Sequence, residues 1–237
     1  MASTRQFELP LLASAQAQKH VTVNDALARL DAVTQMRVVS AALLTPPAAP
    51  EEGEAYLVPD GAADAWTGQD GHVAVSVNGA WVFLAPRVGW RLWNESASEW
   101  YLFSGTTWIA GGLAVSAGGA ATLSRIVEID HTVAVGASST AVGAIPSHAQ
   151  VVGLTGRVTS EITGSASTWR IGVPGSDNRY GAGLGTAKDS FVQGLSSAPV
   201  TYYGATDVVL TGEGGSFTGG AVRLALHLVE LRVPDAI

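Results

Sequence analysis

The stretch from Ala221 to Val233 alternates with a period of two: Val222, Leu224, Leu226 and Leu228 fall on one side, Arg223, Ala225 and His227 on the other. Successive side chains of a β-strand point to opposite faces, so this stretch reads as a strand with one face on a core and one in solvent. Four further runs have strand character: Ile126 to Val135, Gln150 to Ile162, Thr168 to Val173 and Thr206 to Thr211. Turn signals at Pro174-Gly175, Gly214-Gly215 and Gly219-Gly220 punctuate them. Strands at this spacing with glycine-rich turns predict an antiparallel β-sandwich of jelly-roll type over residues 126–237.

The first half is organised differently. All but one of the seven tryptophans lie between Trp66 and Trp108. His72 to Val77 and Trp81 to Leu84 flank Asn78-Gly79, the pair that suits a type I′ turn, and predict a hairpin. Trp100 to Phe103 and Trp108-Ile109, around Ser104-Gly105-Thr106-Thr107, predict a second. A small domain over residues 46–112 with few aliphatic residues needs large aromatic plates, each burying roughly 150–250 Å². Core packing is therefore the expected role of the indoles. A sugar-stacking platform is the alternative, with Trp66 and Trp90, beside loops, the first to test.

Residues 1–45 carry the one helical pattern. Thr22 and Asp25 resemble a capping pair, and Val23, Ala26, Leu27, Leu30, Val33 and Met36 recur at helical spacing. Thr45-Pro46-Pro47 bars continuation. Such a helix packs on its own domain, or forms an oligomer seam or an anchor in a larger particle. Residues 113–125, rich in Gly, Ala and Ser, read as a flexible connector. The predicted class is mainly β: a short N-terminal helix, a small Trp-rich hairpin domain and a C-terminal sandwich.

Composition narrows the function. Of 237 residues 47% are hydrophobic and 14% charged, so real cores are expected. A net charge of −7 with 13 scattered basic residues speaks against nucleic-acid binding and against docking on anionic lipid. The apolar cluster Leu9 to Ala15 is too short for a membrane span or signal peptide, so no membrane insertion is expected. Without cysteine there is no disulfide and no thiolate metal site. That fits assembly in a reducing cytoplasm and release by lysis.

No catalytic motif emerges. Elbow, zinc-helix and phosphate-loop patterns are missing, and Gly181-Ala182-Gly183-Leu184-Gly185 lacks the strand and helix that a nucleotide fingerprint needs. The five histidines are dispersed, so neither metal nor cofactor is expected. Asp177, Asp189 and Asp207 read as turn caps, although a carboxylate pair from distant strands would suit a glycan depolymerase. One loop, Gly175 to Gly181, concentrates polar planar groups: Asp177, Asn178, Arg179 and Tyr180. Sugars are held by such groups with a stacking ring. Tyr202 and Tyr203 extend this candidate glycan surface, and Trp169, in the strand entering the loop, is its less exposed member.

The opening run Leu9-Pro10-Leu11-Leu12-Ala13-Ser14-Ala15-Gln16-Ala17-Gln18-Lys19-His20-Val21-Thr22-Val23-Asn24-Asp25-Ala26-Leu27 resembles the signature of a domain family of formerly unknown function. That family occurs in phage tail-fibre-like proteins and gene transfer agent spikes of alphaproteobacteria. The resemblance continues through Pro46-Pro47, Glu52 to Val58, Gly79-Ala80-Trp81 and Ala85 to Trp90; Phe217 to His227 is similar to the C-terminal sandwich often joined to it. It implies a non-enzymatic virion spike or fibre subunit on the particle surface. Its N-terminal region would dock on capsid, portal or tail proteins, with Gln16, Gln18, Lys19 and His20 as candidate docking residues. Its C-terminal half would bind capsular or surface polysaccharide, and analogy with viral fibres implies a homotrimer. A depolymerase, or a ligand-free connector or decoration protein, are the alternatives.

Overall fold

The computed structural model describes residues 3–6, 8–12 and 19–236, with the backbone alone for 19–22. The chain forms two compact units, Met1–Ala120 with Pro234–Ile237, and Ala121–Val233. The helix and the Trp-rich hairpins, read as separate segments from sequence, thus share one unit.

In the first unit, α1 (Lys19–Val33) begins earlier than the expected cap at Thr22. Its packed face also differs from the predicted one. Ala28 and Ala32 lie against the core of Met36, Val38, Leu57, Val73 and Leu92, while Val23, Leu30 and Val33 face solvent. Small residues let the helix approach closely, and Asp31 is buried beside them because it has partners. Its carboxylate accepts from Thr4 Oγ1 at 2.7 Å and the Gln6 amide at 2.8 Å.

Two small sheets complete the unit. One orders β1 (Arg37–Val38), β5 (Arg91–Asn94), β6 (Glu99–Phe103) and β7 (Trp108–Ala110) as β1-β5-β6-β7; the other orders β2 (Ala55–Leu57), β3 (Val73–Val77) and β4 (Ala80–Leu84) as β2-β3-β4. Val77 pairs with Ala80 around Asn78 and Gly79, both at positive φ (51° and 74°), as a type I′ hairpin demands. At the β6–β7 turn Ser104 Oγ accepts from the amides of Thr106 and Thr107 and holds Phe103 opposite Trp108. The predicted connector is not uniformly flexible chain: it contains β8 (Gly112–Val115) and the start of β9 (Ala121–Thr132). Composition misled here because β9 has a partner strand along its whole length, from Ala121↔Arg232 to Thr132↔Ala221.

The second unit is a sandwich. Its strands are β9, β10 (Ser138–Ile145), β11 (Ala149–Gly164), β12 (Thr168–Val173), β13 (Ser176–Leu184), β14 (Phe191–Tyr202), β15 (Thr206–Glu213) and β16 (Phe217–Arg232). They pair as β14-β11-β16-β9 and β10-β15-β12-β13. Numbered from the first strand, that is 6-3-8-1 and 2-7-4-5, the jelly-roll order. Three of the eight, β10, β13 and β14, carry no clear alternation and were not expected as strands. Leu154, Val158, Val222, Leu224, Leu226 and Leu228 from one sheet meet Trp169, Ile171, Val208 and Leu210 from the other in one core. The alternation that announced β16 is thus a two-layer core with its opposite face in water.

Candidate functional site

The stretch read as a polar loop is mostly strand. Only Pro174 and Gly175 (φ 80°) turn, and Asp177, Asn178, Arg179 and Tyr180 sit on β13. Gly172 makes the tight return feasible: a Cβ there would lie 2.0 Å from the Ser176 carbonyl oxygen. The register accordingly jumps between Ile171↔Gly181 and Val173↔Ser176.

Asp177 is not an unengaged acceptor. Its Oδ2 takes bonds from Arg170 Nε at 2.9 Å and Nη2 at 2.7 Å, and Arg170 Nη1 lies 3.8 Å from Glu213. Glu213 Oε2 in turn accepts from Thr168 Oγ1 and the Gly183 amide, both at 2.9 Å. The resulting patch on β12, β13 and β15 is pre-ordered, and half of the Asp177 side chain remains accessible. Asn178 is exposed; Arg179 is half-buried, and its Nε has no hydrogen-bond partner among the described residues.

Tyr180 and Trp169 are core residues. The Tyr180 hydroxyl meets that of Tyr202 at 3.1 Å, and burial, reinforced by this bond, holds its phenol well above the ordinary value. Trp169 is 2% exposed, and its Nε1 donates to the Gly185 carbonyl at 2.9 Å. Tyr203 is the reverse case, 78% exposed with its ring edge-on to His148. The pairs Ile145↔Thr206, Ala149↔Tyr202 and Gly172↔Val209 bring turns 146–148, 174–175 and 203–205 to one end of the sandwich. Sequence reasoning thus named five accessible or partly accessible residues, Asp177, Asn178, Arg179, Tyr202 and Tyr203, and two interior ones.

The other singled-out residues divide similarly. Trp66 is wholly buried, with its ring 5.7 Å from Tyr56 and 5.3 Å from Trp81, so it offers no sugar platform. Trp90 is half-buried against the core. The accessible indole is Trp100, 50% exposed and 5.3 Å from Trp93, its cross-strand partner. Facing positions in the β5–β6 hairpin were the signal that would have found it.

Asp189 and Asp177 have different partners: the Asp189 carbonyl accepts from Arg157 Nη1 at 2.9 Å. Asp207 accepts from the Gly143 amide at 2.7 Å, a backbone-capping role. Of the candidate docking residues, Gln16 and Gln18 lie outside the described residues, and Lys19 and His20 open α1 with only their backbone described. Among the described residues no group of three His, Asp or Glu could hold a metal ion, and no helix is long and apolar enough to cross a membrane.

Residues 23–109 match the model of a family described as a protein of unknown function (DUF2793). No curated protein matches the chain. Among solved structures, a chain from the Cyanophage Pam1 capsid asymmetric unit is similar at 22% identity, covering 50% of this chain and 92% of that one. The TM-score is 0.33.

Proposed function

We propose that the protein is a spike or fibre subunit of a phage or gene transfer agent, which attaches the particle to host-cell surface polysaccharide without cleaving it. The observation that carries this reading is the solvent-facing apolar stripe of α1. Val23, Leu30 and Val33 recur on one side of the helix, and Leu30 is 52% exposed. Large apolar side chains repeated along one helical face mark a surface that another protein covers. The signature run around α1 resembles virion fibre and spike proteins, which makes other virion proteins its partners. The jelly roll supplies the second half of the reading. Its polar groups gather at a shallow end, with Tyr203, Asn178 and the Arg170–Asp177 pair accessible, an arrangement suited to weak contacts repeated by symmetry in a homotrimer.

The test is direct. Full-length protein is assayed for retention on surface polysaccharide from candidate hosts, with mass by light scattering and reducing-end release measured on the same samples. Retention by an oligomer without reducing-end release supports attachment. Release of reducing ends would make the protein a depolymerase, and a monomer retained by no polysaccharide would leave only a connector role.

A further inference from the structure

The outer face of β14-β11-β16-β9 carries a second surface, which includes none of the candidate glycan residues Asp177 to Tyr180, Tyr202 and Tyr203 and mixes polar side chains with exposed Phe191, Leu195 and Ile126. Strand register lays it out in rows. Phe191, Arg157, Arg223 and Asp130 stand side by side across the four strands; so do Gln193, Thr155, Ala225 and Glu128, and then Leu195, Gly153, His227 and Ile126. Ala225 keeps the middle low, while long side chains rise around it, leaving an open groove of about 330 Å³.

Its walls are held in place. Arg157 lies over the Phe191 ring, 5.8 Å from the centroid, and donates to the Asp189 carbonyl. Arg223 is clamped by Asp130 through two bonds of 2.7 Å and lies 3.4 Å from Glu128. Thr155 and His227 share a 3.1 Å hydrogen bond. Arg157 itself makes no ion pair among the described residues, and Phe191 is 64% exposed. A solvated face of a sandwich ordinarily carries polar residues at such positions; here an aromatic ring is kept in water beside ordered planar polar groups.

We infer that this groove is a saccharide-binding subsite, with a sugar ring against Phe191 and its hydroxyls at Gln193, Thr155, Glu128 and Arg157. A pyranose has an apolar C–H face and a rim of hydroxyls that are both donors and acceptors. A ring flanked by amide, carboxylate and guanidinium groups complements both features. The groove is sized for a small occupant. Four strands about 4.8 Å apart and three rows about 7 Å apart span roughly 200 Å² between centres, and its volume of about 330 Å³ suits a few sugar residues, whereas a stable protein interface needs about 800 Å² per partner. The inference rests on the attachment reading and gives it a location other than the Asp177–Tyr203 end.

The experiment uses full-length protein on a glycan array bearing capsular and lipopolysaccharide fragments, with Phe191→Ala, Gln193→Ala and, as a control at an exposed position with no assigned role, Val142→Ala (Val142 is 84% exposed) compared at equal oligomeric state. Phe191→Ala should weaken binding about tenfold or more, and Gln193→Ala several-fold, with unchanged melting, while Val142→Ala binds as the parent does. If both groove variants bind as the parent does, the groove is wrong and attachment stands. If the parent binds no glycan, attachment itself fails and the groove with it. If Phe191→Ala instead changes the sedimentation of the protein, the face joins copies of the chain and the saccharide assignment falls.

Discussion

Truncating Trp66 separates a core indole from a sugar platform. The side chain is fully buried against Tyr56 and Trp81. Removing roughly 200–250 Å² from water at about 25 cal/mol per Å² is worth up to about 5–6 kcal/mol. Alanine recovers part of that, and the cavity partly collapses, so Trp66→Ala should cost about 3–5 kcal/mol. Trp66→Phe is a finer probe. It keeps a ring between the same neighbours and deletes Nε1, a buried donor with no partner among the described residues, whose burial costs about 1–3 kcal/mol. The two effects offset each other, so the net loss should stay below about 2 kcal/mol. For a unit of this size 1 kcal/mol moves the melting temperature by about 3–6 °C. Scanning calorimetry of the full chain should therefore show the first unit melting at least about 10 °C lower in Trp66→Ala, and only a few degrees lower in Trp66→Phe. Polysaccharide retention below the transition should not change. An unaltered melt in Trp66→Ala with lost retention would refute the burial argument. Equal losses for Ala and Phe would refute the ring-packing part of it.

Other expectations are as concrete. Tyr180→Phe and Tyr202→Phe, alone and together, should give a coupling of about 0.5–1.5 kcal/mol in denaturant unfolding; additive losses would mean that the hydroxyl pair contributes nothing. His131 Nε2 lies 2.7 Å from Ser139 Oγ, and burial holds its pKa below the ordinary 6.5. The unfolded chain then takes up the proton first, so its contribution to stability is complete above about pH 6.5 and declines as pH falls below it. His131→Gln should flatten the slope of unfolding free energy between pH 6.5 and 5, and an unchanged slope would contradict the assignment. Leu30→Glu should leave melting within about 0.5 kcal/mol of the parent and reduce incorporation into particles, measured by pull-down with virion proteins; full incorporation would remove the stripe's role.

How far the sequence could be read depended on whether a feature was local. β16 and the Asn78-Gly79 hairpin were legible because side-chain alternation and positive-φ turn chemistry are written within a few residues. The buried face of α1 was not. Periodicity grouped the larger apolar residues on one face and left open whether that face meets its own domain or a neighbour; Thr4 and Gln6, far away in sequence, satisfy Asp31 where the alanine side packs inward. β10, β13 and β14 escaped notice for a related reason: their glycines and serines serve close backbone approach, as at Gly194, where a Cβ would lie 2.0 Å from the Tyr180 carbonyl oxygen. The Asp177 to Tyr180 stretch looked like a loop because glycines bound it. Its neighbours in space, Arg170 and Glu213, were invisible to spacing. Phe191 attracted no attention because nothing local distinguishes an aromatic residue that a strand holds in solvent from one that it buries.

The proposed subsites are shallow, and that bears on how such a protein could work. Open sites that leave much of a ligand in water give weak single contacts, since little apolar area is removed and each hydroxyl exchanges one partner for another. Strength then has to come from repetition. If linked copies each engage the same polymer, later contacts form at an effective concentration set by the spacing of the sites, and avidity exceeds single-site affinity by about 10²–10⁴ without any new contact. A rigid jelly roll is a suitable carrier because its register keeps the distance between Phe191 and the groove's polar groups constant from copy to copy. Under the proposed reading, weakening each groove tenfold should therefore reduce particle adsorption by more than tenfold, whereas the same substitution in a monomeric lectin would reduce it by tenfold only.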